Sequence, residues 1–191
     1  NFLTFVDDDN HLFPDYLNIV YQTMLSNTEI GILGGKGITY NSLKLPTWFK
    51  FIQRNYAVGP QGNDQLGLQE VDLVYGAGMT IRKDFWLKIL SNGFMPILND
   101  RTKKTLISGG DTELCMVFKI AGYKVFYHPE LNFYHDIPIE RINWEYVKKL
   151  NYGFGQAKTI TDIYLHCLRS DKNPANQTKL PLWIDTLIHL Y

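Results

Sequence analysis

The hydrophobic and polar positions of this chain follow two periods, and the switches between them mark its elements. Phe2-Leu3-Thr4-Phe5-Val6 is an apolar run of buried-strand type that ends at Asp7-Asp8-Asp9-Asn10. Pro14 suits the first turn of a helix, where its fixed φ matches and its missing N–H costs nothing. Leu17, Val20, Tyr21, Met24 and Leu25 continue at helical spacing. Glu29 to Gly35 is a short strand running into glycines. From Lys36 to Leu68 the pattern is mixed, and the Gly/Pro/Asn/Gln-rich stretch Gly59 to Gly67 reads as a mobile surface loop.

Val71 to Tyr75 reads as a strand that stops at Gly76-Ala77-Gly78, with Met79-Thr80-Ile81-Arg82 behind it. A helix is expected from about Lys83, carrying Phe85, Trp86, Ile89 and Leu90. Ser108-Gly109-Gly110 opens a second helix through Asp111, Leu114, Cys115, Val117, Phe118 and Ile120, which closes at Gly122. Tyr123 to Tyr127 is a strand, Asn132 to His135 another, and a long helix runs from about Ile142 to Leu168. Strands alternating with helices predict an α/β fold in one unit over residues 1–168. A tail, 169–191, follows, in which Leu180 to Tyr191 reads as the start of a further helix. Because the chain begins at Asn1 and is at once in a strand, we expect it to be N-terminally truncated, without an upstream region that supplies neighbouring strands.

Charge changes the picture by what it removes. With 19 basic and 19 acidic residues there is no global field to select nucleic acid or an anionic membrane, so a charged ligand must meet a local site. Cys115 and Cys167 read as small buried apolar side chains in a reducing compartment. No apolar run is long enough to span a bilayer.

The chemistry is concentrated in four places. Asp7, Asp8 and Asp9 at a strand end repel one another unless a cation or basic group neutralises them, and hard divalent ions favour such oxygen ligands. Asp7 and Asp9, two apart, can point to one side; the alternative is a solvated acidic turn. Asp111 stands at the start of a helix, where negative charge is favoured, and serves either as a general base or as a plain N-cap. Gly76, Ala77 and Gly78 permit close backbone approach to a ligand or simply a tight turn. His135, at a strand end with Arg141 close behind, is a metal or phosphate partner or a structural histidine.

Taken in order, these pieces resemble glycosyltransferase family 2, over roughly Phe2 to Lys158. The acidic run with Pro14 and its helix resembles that family's DxD segment. Gly76-Ala77-Gly78 through Arg82, then Gly110-Asp111-Thr112-Glu113-Leu114 with Ala121-Gly122-Tyr123, take the next places. His135 with Ile137-Pro138, Arg141 and Trp144 closes the set. Two departures stand out: Gly110 replaces the usual acidic residue before the catalytic Asp, and the strands that grip the nucleotide base lie upstream of the family's DxD motif.

The resemblance implies a GT-A-like mixed sheet flanked by helices and an inverting transfer from a nucleotide-sugar donor, a UDP-sugar by preference. The acceptor would be a saccharide or lipid-linked saccharide, as in polysaccharide biosynthesis. It implies Mn²⁺ or Mg²⁺ on Asp9 and His135, with Asp7 and Asp8 toward the donor, Asp111 as base, and Gly76, Ala77, Gly78, Arg82 and Glu113 as further donor contacts. A cytoplasmic setting, peripheral at the inner membrane face, follows from the family alone, and exposed strand edges would favour a homo-oligomer. Two rivals are a metal-dependent phosphohydrolase, which needs a second ligand cluster, and a non-catalytic carbohydrate-binding fragment using Trp48, Trp86 and Trp144.

Overall fold

The computed structural model describes residues 1–40, 44–98 and 109–171. The strands are β1 (Phe2–Thr4), β2 (Asn10–Leu12), β3 (Ile30–Thr39), β4 (Gln69–Glu70), β5 (Thr80–Arg82) and β6 (Lys124–His135). The helices are α1 (Tyr16–Ser26), α2 (Phe49–Ile52), α3 (Lys83–Ser91), α4 (Gly110–Ile120) and α5 (Trp144–Asp171). The strands form one mixed sheet in the order β1-β5-β3-β6-β2, with β4 also on β6. Only β3 and β6 run parallel; β1, β2, β4 and β5 each pair antiparallel. This is the GT-A-like α/β architecture expected from the sequence.

Helices cover both faces. On one face α1 packs Tyr16, Val20 and Met24 onto Ile30, Leu33, Leu131 and Phe133. On the other, Ile89 of α3 and Cys115, Val117 and Phe118 of α4 cover Ile32, Ile81, Val125 and Tyr127. Strict alternation would send Ile30 and Ile32 to the same face, but an irregularity in the β3–β6 register between them sends them to opposite faces. Fully burying such side chains is worth about 1.5–3 kcal/mol each, and Ile30, Ile32, Leu33, Ile81 and Phe118 are all inaccessible to solvent. A third cluster, Phe49, Tyr56, Val58, Ile137, Ile142, Val147 and Leu150, fastens α2 and the start of α5 to the end of the sheet.

Several elements differ from the sequence reading, each for a visible reason. The opening strand is shorter and is not buried: among the described residues β1 pairs only with β5 and stands at the edge, and Leu3, Phe5 and Val6 are 40%, 45% and 48% exposed. The glycines expected to end β3 lie inside it, because a Cβ on Gly34 or Gly35 would collide with Val74 or Leu131. Val71 to Tyr75 forms no strand; the Tyr75 N–H goes to the Gln61 side chain and the Gly76 N–H to Asp111, so side chains replace a ladder. Gln61, 6% exposed, also donates to the Gly35 carbonyl and anchors the 59–67 segment expected to be mobile. The two late strands are one strand of 12 residues, and the last helix runs on to Asp171. The expected helix from Leu180 to Tyr191 lies outside the described residues.

Candidate active site

The ends of β1 and β6, the 76–79 turn and the N-terminus of α4 converge on a cleft of about 870 Å³. Ligand sites in open α/β sheets favour this position, outside strand ends, where loops rather than ladders present their polar groups. Asp7, Asp8, Asp9, Gly76, Ala77, Asp111, Glu113 and His135 all line it, so four separate sequence motifs meet in one place.

The acidic run is a structured turn. Asn10, 7% exposed, donates from its amide to Asp7 Oδ2 at 3.2 Å and to Asp9 Oδ1 at 3.0 Å, holding the two carboxylates together. Asp9 Oδ2 lies 3.5 Å from both His135 Nε2 and Arg141 Nη1. His135 Nδ1 is 2.7 Å from the Tyr56 carbonyl oxygen. A carbonyl only accepts, so Nδ1 carries the proton, and a neutral ring then turns the Nε2 lone pair toward Asp9. Two electron-rich atoms at that separation can share a cation between them.

Asp111 is the second residue of α4, whose N-cap is Gly109, so it does not act as the cap. Its Oδ1 accepts the Thr112 N–H at 2.7 Å and its Oδ2 accepts the Gly76 N–H at 3.0 Å. The carboxylate is thus fixed against the glycine turn with lone pairs left over for a ligand. Gly76 and Ala77 line the cleft beside it. Gly78 turns away: φ is +72°, its carbonyl accepts from the Tyr16 hydroxyl at 2.7 Å, and a Cβ would fall 2.5 Å from that oxygen.

Arg82 is a correction to its expected role in donor binding. It points to the far end of the sheet, donating to the carbonyls of Met24, Asn27 and Ile30, with its guanidinium over Phe2 and Phe85. It satisfies carbonyls at the C-terminus of α1 that the helix itself leaves unpaired. Glu113 lines the cleft, but its carboxylate is taken up by the protein's own donors. It is 2% exposed and accepts from the backbone N–H of Ile97 and Leu98 and, at 2.6 Å, from the Tyr164 hydroxyl. Burial and the Glu113 carboxylate push the Tyr164 phenol well above its usual range, so it remains a donor.

Sequence reasoning did not select Asn10, Tyr56, Phe94, Pro96 or Leu98; of the three tryptophans it offered for sugar stacking, Trp86 joins Phe94, Pro96 and Leu98 in an apolar wall of the cleft, which Tyr56 also lines. Asn10 was detectable as the amide directly after three acids; nothing in the sequence marks Tyr56. Trp86 packs on Phe94 and Phe118, whereas Trp48 and Trp144 pair with each other, ring centroids 4.9 Å apart. Among the described residues no three His, Cys, Asp or Glu side chains form a group able to hold a metal, and no helix is long and apolar enough to cross a membrane. The second ligand cluster that a phosphohydrolase requires is therefore not found among the described residues.

No curated protein matches the chain. The sequence model described as glycosyl transferase family group 2 matches residues 2–187, from the opening strand through the acidic turn, the glycine turn, α4 and α5. With nearly the whole chain matched, this protein belongs to glycosyl transferase family 2, and its general activity is the transfer of a glycosyl group from a nucleotide-sugar donor to an acceptor.

Proposed function

We propose that the cleft carries out an inverting transfer, with the donor diphosphate at Asp7, Asp9, His135 and Arg141 and the acceptor hydroxyl at Asp111. The observation that carries this reading is the meeting of the Asp9–His135–Arg141 cluster and the Gly76-bound Asp111 in one cleft. A transferase must hold a leaving group at one end and a base at the other.

The donor set fits a divalent ion that shares its ligands with substrate. Asp9 Oδ2 and His135 Nε2 lie 3.5 Å apart, and the Nδ1 bond to Tyr56 leaves Nε2 free to coordinate. Two protein ligands make no closed cage, which suits Mg²⁺ or Mn²⁺ completed by phosphate oxygens and water. Such an ion, when bound, supplies positive charge where the leaving diphosphate gathers negative charge.

The remaining steps belong to the chain's own residues. Arg141 adds a fixed cation beside Asp9 for the diphosphate. Asp111 accepts the proton of the acceptor hydroxyl as its oxygen attacks the anomeric carbon, and the bond from that carbon to the diphosphate oxygen breaks on the opposite face. The Gly76 N–H fixes the direction of the carboxylate. A single in-line displacement inverts the anomeric configuration. Trp86, Phe94, Pro96 and Leu98 supply an apolar wall against which the acceptor ring or its aglycone lies.

The test is product stereochemistry. The protein is incubated with Mn²⁺ and a panel of UDP-, GDP- and dTDP-sugars, and the released sugar or glycoside is followed by proton NMR before it mutarotates. Release of nucleoside diphosphate with an inverted anomer supports the reading; a retained anomer contradicts the single displacement and the role given to Asp111.

A further inference from the structure

We infer that Tyr56 is the positioning residue of the donor end, setting both groups that face Asp9, the His135 ring and the Arg141 guanidinium. The inference rests on the reading that Asp9, His135 and Arg141 receive the donor diphosphate. Two bonds from this one residue reach across the chain. Its carbonyl holds His135 Nδ1 at 2.7 Å, and its hydroxyl donates to the Arg141 carbonyl at 2.9 Å. The first fixes which ring nitrogen faces Asp9; the second fixes the short 3-10 turn Ile139–Arg141 from which the guanidinium extends.

The geometry of the segment supports a placed group over an incidental one. Tyr56 ends the 3-10 turn Gln53–Tyr56, which closes on Ala57 at φ +52°, in the left-handed region that non-glycine residues seldom occupy. The turn is locked to β3, where a Cβ on Gly37 would fall 1.9 Å from the Ala57 oxygen. The Tyr56 ring is 5% exposed and wedged between Phe49 and Tyr146, with centroids 5.1 and 5.9 Å away. Carbonyl and hydroxyl therefore leave a rigid body in fixed directions. Burial, with Tyr146 adding to it, raises the Tyr56 phenol above its usual range, which keeps the hydroxyl a donor.

A merely structural tyrosine would affect stability without affecting the donor end, and a matched control separates the two. Tyr56→Phe removes only the bond to the Arg141 carbonyl, and Tyr16→Phe removes a similar buried bond, to the Gly78 carbonyl, away from the cluster. UDP and GDP are titrated calorimetrically in saturating Mn²⁺. Tyr56→Phe is expected to weaken binding about fivefold to tenfold, the scale of one lost hydrogen bond, while Tyr16→Phe lowers Tm and leaves affinity unchanged. Equal affinity for both variants and wild type overturns the inference.

A second measurement needs no ligand. Long-range proton–nitrogen correlation at about pH 9, where imidazole is neutral, reports the His135 tautomer. Protonation at Nδ1 supports the hold by Tyr56, and protonation at Nε2 overturns it. If wild type binds no nucleotide yet shows the Nδ1–H tautomer, the donor reading fails while the Tyr56–His135 link is supported.

Discussion

Asp111 Oδ2 accepts the backbone N–H of Gly76 at 3.0 Å, joining two segments 35 residues apart into one wall of the cleft. The bond explains why a glycine turn precedes the proposed base. A Cβ on residue 76 would already lie 3.3 Å from the Asp111 Cβ, so glycine lets backbone and carboxylate approach. Asp111→Asn keeps an oxygen for that N–H and removes the base. Nucleotide affinity should stay at the wild-type value while kcat falls about 10²–10⁴-fold, the usual worth of a positioned base. Turnover near wild type would reassign Asp111 to a structural role.

Arg82 gives a prediction of the opposite kind. Arg82→Met keeps the stem over Phe2 and Phe85 but removes the guanidinium bonds to the carbonyls of Met24, Asn27 and Ile30, of which Asn27 keeps the Ile30 N–H. Stability should fall by about 1–3 kcal/mol, the cost of unsatisfied buried groups, with unchanged nucleotide affinity in the folded fraction. Denaturant melts and calorimetry measure the two quantities; a selective loss of affinity would return Arg82 to the donor site.

Glu113 links α4, the Ile97–Leu98 backbone and Tyr164 of α5. Glu113→Gln sets an amide N–H₂ against donors that need an acceptor. The amides of Ile97 and Leu98 should then exchange at least tenfold faster in deuterium exchange, since a lost hydrogen bond is worth about 1–1.5 kcal/mol. Unaltered protection would show that other contacts hold this wall.

One pH effect is fixed by sign. Burial lowers the His128 imidazole below its usual value, and Glu130 only partly opposes this. The unfolded chain therefore binds the proton more readily. The contribution of the neutral ring is complete above the unfolded pKa of about 6.5 and is lost as pH falls through it toward the folded value. His128→Gln should flatten the dependence of Tm on pH between about pH 7 and 5. An identical slope in wild type and variant would remove His128 from the account.

Much of this was legible because local chemistry and fold agreed. The helical spacing of Val20 and Met24, the turn at Gly122 and the start of α3 at Lys83 follow from side-chain period and glycine conformation, which act within a few residues. The misreadings depend on distant partners. Val71 to Tyr75 has the composition of a strand, yet Gln61 and Asp111 take the N–H groups of Tyr75 and Gly76. Arg82 follows the glycine motif in sequence, but as the last residue of β5 it is carried away from the cleft to the end of α1. Tyr56 shapes the site through a backbone carbonyl, a group every residue possesses and no sequence pattern distinguishes.

The central claim is that Asp9 and its neighbours form a metal-dependent diphosphate site. Its most direct test is thermal unfolding with UDP, GDP, dTDP and CMP, with and without Mn²⁺, in wild type and Asp9→Ala. A ligand at 100 times its dissociation constant stabilises by about 2.7 kcal/mol, well within measurement. The account predicts a rise in Tm with at least one nucleoside diphosphate that requires Mn²⁺ and vanishes in Asp9→Ala. No rise with any nucleotide, or one that survives both chelation and Asp9→Ala, would contradict it.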